Sequence, residues 1–147
     1  MYSKEENQKI KREFWIAFAE VFPRKWILYD TKIKDFTFKF FVDNKKAQVR
    51  LDIEPVSEEK RKIYYEKIES LQTILKDEYL PEIILERNHY LSSGKLISSA
   101  WVEIDDVSTS KRDTWQRVFN FFNENMSQFE AFFLEYEDYI SDLELNT

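Results

Sequence analysis

The chain has 147 residues, no cysteine and a formal net charge of −6. That length makes one domain, 1–147, with room for a substantial core, and the missing cysteines exclude disulfides, thiol nucleophiles and cysteine zinc sites. A single histidine and a single glycine exclude a two-histidine metal motif and a phosphate-cradling glycine loop, so catalysis here would fall to carboxylates and a metal ion.

No run approaches the roughly eighteen apolar residues of a membrane span, and the N-terminus lacks a leader's apolar stretch. With the absence of cysteine, this predicts a cytoplasmic chain. Aromatic residues make up 17% of the sequence, so large rings are expected to dominate the core. Charge is uneven. Residues 1–50 carry 12 Lys/Arg against 7 Asp/Glu, and residues 101–147 carry 3 against 11. A basic first third beside an acidic tail predicts balance between the two ends, with an acidic partner near the hairpin of residues 35–54 as the alternative.

The first element is a helix over roughly Lys4 to Phe22. Ile10, Phe14, Ala17, Phe18, Val21 and Phe22 fall on one stripe, and Pro23 ends the run. Trp26 to Tyr29 reads as a short strand. Next comes a hairpin over Asp35 to Glu54. Phe36, Phe38, Phe40 and Val42 alternate with Asp35, Thr37, Lys39 and Phe41 before the turn at Asp43-Asn44-Lys45-Lys46, and Ala47, Val49, Leu51 and Ile53 alternate with Gln48, Arg50, Asp52 and Glu54 after it. Period-two alternation predicts one buried face and one mostly wet face, and it sets the register.

Pro55 breaks the strand and Ser57 is placed to cap a second helix, with Glu58 and Glu59 where the helix dipole favours negative charge. This helix is expected to reach about Asp77 and to bury Tyr64, Ile68, Leu71 and Leu75. After Pro81, Ile83 to Tyr90 and Leu96 to Ile104 form a second predicted hairpin, turning at Ser92-Ser93-Gly94-Lys95. The only glycine lies where a positive φ is easiest for it. Leu96, Ser98, Ala100, Val102 and Ile104 share one face, with Trp101 on the other.

Ser110, with Asp113 three residues on, resembles a capping box that opens the last helix. Trp115, Phe119, Phe122, Met126, Phe129, Phe133, Tyr136, Ile140 and Leu143 then follow at alternating spacings of four and three, a heptad seam widened by Phe121 and Phe132. Unbroken from Lys111 to Leu143, this helix would be about 50 Å long, longer than a domain of about 35–40 Å. Either it breaks near Asn123-Glu124-Asn125, or its far half packs elsewhere. The second case predicts a homodimer through the C-terminal helix, with Phe129, Phe133, Tyr136 and Ile140 as the dimer or partner face.

Two candidate sites follow from the first hairpin. If Val42 faces Ala47, then Lys39 faces Arg50, Thr37 faces Asp52 and Asp35 faces Glu54. Asp35, Asp52 and Glu54 would gather at one end of the wet face, where a Mg²⁺ ion could relieve their repulsion and activate water. The order of elements up to Tyr90 also resembles the core of PD-(D/E)xK nucleases, if Trp26–Tyr29 is a strand. The matching strand, Gln48-Val-Arg50-Leu-Asp52-Ile-Glu54, lacks that superfamily's acidic-spacer-lysine triplet. A divergent metal-dependent nuclease of that kind is therefore the alternative reading, and without it no cofactor is expected.

The second candidate is a nucleic-acid surface. Lys32, Lys34, Lys39, Lys45, Lys46 and Arg50 surround Phe41, and such a set can bind phosphate and stack a base. His89, at a strand end, is expected to be a surface or hydrogen-bonded residue. Trp15, Trp26, Trp101 and Trp115 are expected in the core or at its edge.

Several stretches together carry a resemblance. They are the FWIAF run at Phe14–Phe18, Trp26-Ile-Leu-Tyr29 with Asp30-Thr31-Lys32-Ile33-Lys34, the hairpin turn at Asp43–Lys46, Asp106-Val-Ser108 leading to Asp113-Thr-Trp115, and the aromatic helix after them. In their order the chain resembles the domain of unknown function 4268 family over nearly its full length. The family is similar to domains found alone or joined to nuclease-like domains, and the resemblance implies no catalytic residues. The expectation is an α+β domain whose antiparallel-rich sheet, built from two hairpins, has its apolar face covered by helices. Its expected role is a non-catalytic binding or assembly module, accessory to nucleic-acid or defence systems.

Overall fold

The computed structural model describes residues 2–55 and 57–142. Helix α1 spans Lys4–Val21 and strands β1 and β2 span Phe36–Val42 and Lys46–Ile53. Helix α2 covers Glu58–Ser70, the short α3 covers Gln72–Ile74, and a π-helical turn follows over Leu75–Tyr79. Strands β3 (Ile84–Tyr90) and β4 (Leu96–Asp105) then lead to helix α4, Trp115–Ser141. The fold is α+β. One antiparallel sheet runs in the order β1-β2-β4-β3, which places the two hairpins side by side and β2 and β4 in the middle.

The alternation in the first hairpin sets its register as expected, with Val42 opposite Ala47, Lys39 opposite Arg50 and Thr37 opposite Asp52. Its apolar face continues across β4, where Leu51 meets Ala100 and Val49 meets Val102. Helices α1, α2 and α4 cover this face. Phe38 packs against Phe129 and Phe133 at ring separations of 5.2 and 5.7 Å, while Phe122 meets Phe40 at 4.6 Å and Phe18 at 5.5 Å. Phe14, Phe36, Phe122 and Phe129 have no exposed surface, so rings do form the core.

The heptad seam of α4 belongs to this core. Phe129, Phe133 and Ile140 are at most 2% exposed and Tyr136 packs against the same cluster, so the face expected to receive a second copy is filled from within the chain. The helix does not break at Asn123-Glu124-Asn125. Asn125 donates its side-chain amide to the Phe121 carbonyl and Ser127 donates to that of Asn123, so these polar groups bond within the helix. At 27 residues it is about 40 Å long and fits the domain. Leu143, the last position of the seam, lies outside the described residues.

Other expectations need correction. Trp26–Tyr29 is not a strand; it belongs to an irregular strap between α1 and β1. The nuclease-like order of elements therefore lacks its first strand. Val21 is exposed rather than part of the helix stripe. Ser57 caps α2 by accepting from the Lys60 N–H, but α2 ends at Ser70, and Leu71 is only partly buried. Ser110 does not open the last helix. A 3-10 turn over Arg112–Thr114 precedes α4, and the Ser110 hydroxyl pairs with Ser108 instead.

Candidate functional site

The sheet face opposite the helices is not mostly wet, because its central strand is shielded by the long side chains beside it. Gln48, Arg50 and Asp52 are buried there, at 5%, 9% and 2% exposure. Arg50 is the hub. It donates to Gln48 Oε1 at 2.6 Å, Asp52 Oδ1 at 3.2 Å and Ser99 Oγ at 2.9 Å, and it stands over the Trp101 ring. The same Nη2 that donates to Ser99 also lies 3.1 Å from His89 Nε2. A guanidinium only donates, so Nε2 must accept, and the imidazole proton sits on Nδ1, 3.0 Å from Glu86 Oε1. His89 is thus hydrogen-bonded, as its place on the strand suggests.

Asp52 and Glu54 of the carboxylate trio meet this network rather than open water. Asp52 takes Ser99 Oγ at 2.7 Å, and the Lys39 ammonium lies 3.5 Å from Asp52 and 3.6 Å from Glu54. Asp35, at φ +62°, accepts the Glu54 N–H through its main-chain carbonyl at 2.8 Å. Lysine and arginine thus already offset the charge that a divalent ion would offset. Among the described residues, no group of three or more His, Asp or Glu side chains is placed to hold a metal ion.

The basic set divides in the same way. Lys39 is committed to Asp52 and Glu54, Lys46 to Glu103 at 3.7 Å, and Arg50 is buried. Lys32, Lys34, Lys45 and Phe41 are exposed. The outer face also carries Glu86, Glu103 and Asp105, so it is a mixed-charge surface and not a basic one.

A second site lies at the β1 edge of the sheet, and sequence reasoning missed it. Trp15 and Phe18 from α1, Phe22 just past its end, Trp26 from the strap and Phe40 from β1 wall a cleft of about 650 Å³. Trp26 stacks on Phe18 at 6.0 Å and meets Phe40 edge-on at 5.3 Å. Arg24 and Lys25 also line the cleft, whereas no Asp or Glu among the described residues does. Lys39 contributes to the wall, but its ammonium serves the carboxylates noted above.

The strap that closes this cleft is tied down at both ends. Glu130 of α4, only 8% exposed, accepts from the Ile27 N–H at 2.7 Å and from Arg24 at 2.5 Å, while the Arg24 guanidinium lies 4.1 Å from the Trp26 ring centre. Further on, Leu28 O accepts from the Phe38 N–H, and Thr31 Oγ1 donates to Phe36 O. Between these anchors Leu28, Lys32 and Asp35 have φ of +27°, +64° and +62°. Left-handed backbone at a branched leucine is strained and persists only where its surroundings enforce it. The available sequence signal was Trp26 within four apolar residues, which reads equally well as a short strand.

Comparison with curated proteins finds no match, and neither does comparison with solved structures. Residues 10–137 match the family model described as Domain of unknown function (DUF4268), a span that takes in most of α1, the strap, the whole sheet and most of α4. On that match the chain belongs to the domain of unknown function 4268 family.

Proposed function

We propose that this chain is a non-catalytic binding module whose site is the aromatic cleft between α1, the strap and β1. The observation that carries this reading is the preformed cavity of about 650 Å³, large enough for a bulky apolar group. Its walls are rings already packed against the core, so little ordering remains to be done on binding. The anchored strap supports the same reading, since strain held in place by buried bonds is typical of ligand clamps. In a nucleic-acid or defence assembly such a module would hold a partner in place and leave the chemistry to others.

Anilinonaphthalene sulfonate, an aromatic anion, is a suitable probe. The folded protein is expected to bind it with enhanced fluorescence, and Ala19→Trp, which fills the cleft from α1, should weaken binding at least about tenfold. Binding that is absent, or unaffected by Ala19→Trp in a protein that still melts cooperatively, would overturn the proposal.

A further inference from the structure

Resting on that reading of the cleft, we infer that its occupant is an extended acidic segment of another protein. This segment adds as a strand to the open edge of β1 and lodges a bulky apolar side chain in the cavity. The first support is main-chain accounting. Glu54 N–H bonds Asp35 O at 2.8 Å and Asp43 N–H bonds Lys46 O at 3.0 Å, so odd-numbered residues of this stretch turn their backbone groups toward β2. Phe36, Phe38, Phe40 and Val42 then turn theirs outward, away from the sheet.

The strap satisfies only the first half of that edge. Phe36 O receives Thr31 Oγ1 at 2.7 Å and the Phe38 N–H reaches Leu28 O at 3.2 Å. Past Leu28 the strap provides nothing more. Among the described residues, the outward groups of Phe40 and Val42 have no hydrogen-bond partner. An unpaired edge of this kind is a template for an added strand. Phe40 is also part of the cavity wall, so alternate side chains of the added strand would fall on the cavity side.

The opposite edge of the sheet is defended where this one is not. β3 has a register shift between Glu86 and His89, its Arg87 pairs with Glu66 and Glu69, and Arg61 takes Arg87 O and Asn88 Oδ1. Bulges and charges are the usual protections of an edge strand. The open part of β1 reads Phe40-Phe41-Val42.

Two features select the partner. Arg24 is bonded to Glu130, but Lys25, 88% exposed at its side chain and only loosely held by Asp30 at 3.7 Å, adds positive charge to a cleft with no carboxylate among its described lining residues, which favours an acidic segment. Trp15 and Trp26 flank Phe40 at 6.4 and 5.3 Å, so the edge is recessed between walls. A second copy carries the same walls around its own β1, so two recessed edges cannot meet, whereas a slim extended segment can enter.

The test uses a labelled synthetic peptide that alternates Phe or Val with Glu or Thr, followed by anisotropy and by amide exchange in the full chain. The peptide is expected to bind, to compete with anilinonaphthalene sulfonate, and to protect the Phe40 and Val42 amides. A version with N-methylated amides should bind about tenfold more weakly or worse, and so should one with Lys in place of Glu. If the dye binds but no peptide protects Phe40 and Val42, strand addition is wrong while the cleft reading stands. If neither binds, both fail. Binding of a short oligothymidylate in place of the peptide would overturn the inference in favour of a nucleic acid. Protection that grows with protein concentration alone would overturn it in favour of a second copy.

Discussion

Asp52 shows how a residue that reads as a metal ligand serves the sheet instead. It is 2% exposed, accepts from Ser99 and Arg50, and faces the Lys39 ammonium. Removing it leaves a buried guanidinium short of a partner. Asp52→Ala is therefore expected to cost about 2–3 kcal/mol in urea unfolding, with Asp52→Asn losing less because it can still accept. Equal losses in the two variants would argue against this role. At the surface, Glu58 accepts the Arg61 guanidinium at 2.9 Å, and that hydrogen bond holds its carboxyl below the usual range. A lowered carboxylate stabilises the fold above its unfolded-state pKa, and the contribution disappears as pH falls through the folded-state value. Acidification should loosen the start of α2, slightly because Glu58 is exposed, and Glu58→Gln should remove that part of the pH dependence. Melting temperature measured against pH checks both statements.

At the scale of elements, the strap and α4 act as a pair. A carboxylate in the middle of an aromatic helix is costly to bury unless it is satisfied, and Glu130 is satisfied by Ile27 and Arg24. Glu130→Ala should destabilise the chain by about 1–3 kcal/mol and make the Ile27 amide exchange faster, while β2 and β4 amides keep their protection. Uniformly faster exchange would mean that Glu130 supports the whole fold and not the strap in particular. The hairpins were legible beforehand from turn residues at Asp43–Lys46 and Gly94, and in the first of them period-two alternation leaves one register, whereas the second shifts register between Glu86 and His89. The strap was not legible, since its shape comes from long-range partners, Glu130 and Phe38, that have no local signature.

Over the whole molecule, helices on one face of a four-stranded sheet consume the aromatic seam of α4. With Phe129, Phe133 and Ile140 inside, light scattering at high micromolar concentration is expected to give the mass of one chain, 18.0 kDa. A doubled mass would place an interface somewhere other than that seam. No described helix is long and apolar enough to cross a membrane.

Local pattern and residue type alone determined the pairing within each hairpin, the cap at Ser57, the glycine turn and which faces of the first hairpin and of α4 are apolar, whereas the pairing of β2 with β4 came only with the tertiary structure. The local features depend on spacing and residue type within one element or hairpin, and these can be read directly from the chain. Only the tertiary structure decided that Arg50 and Asp52 are buried partners, that α4 turns its seam inward, and that Trp15, Trp26 and Phe40 enclose a cavity. Each of those outcomes depends on which distant residues arrive as neighbours. Burial and charge compensation are properties of such neighbourhoods, not of any residue alone.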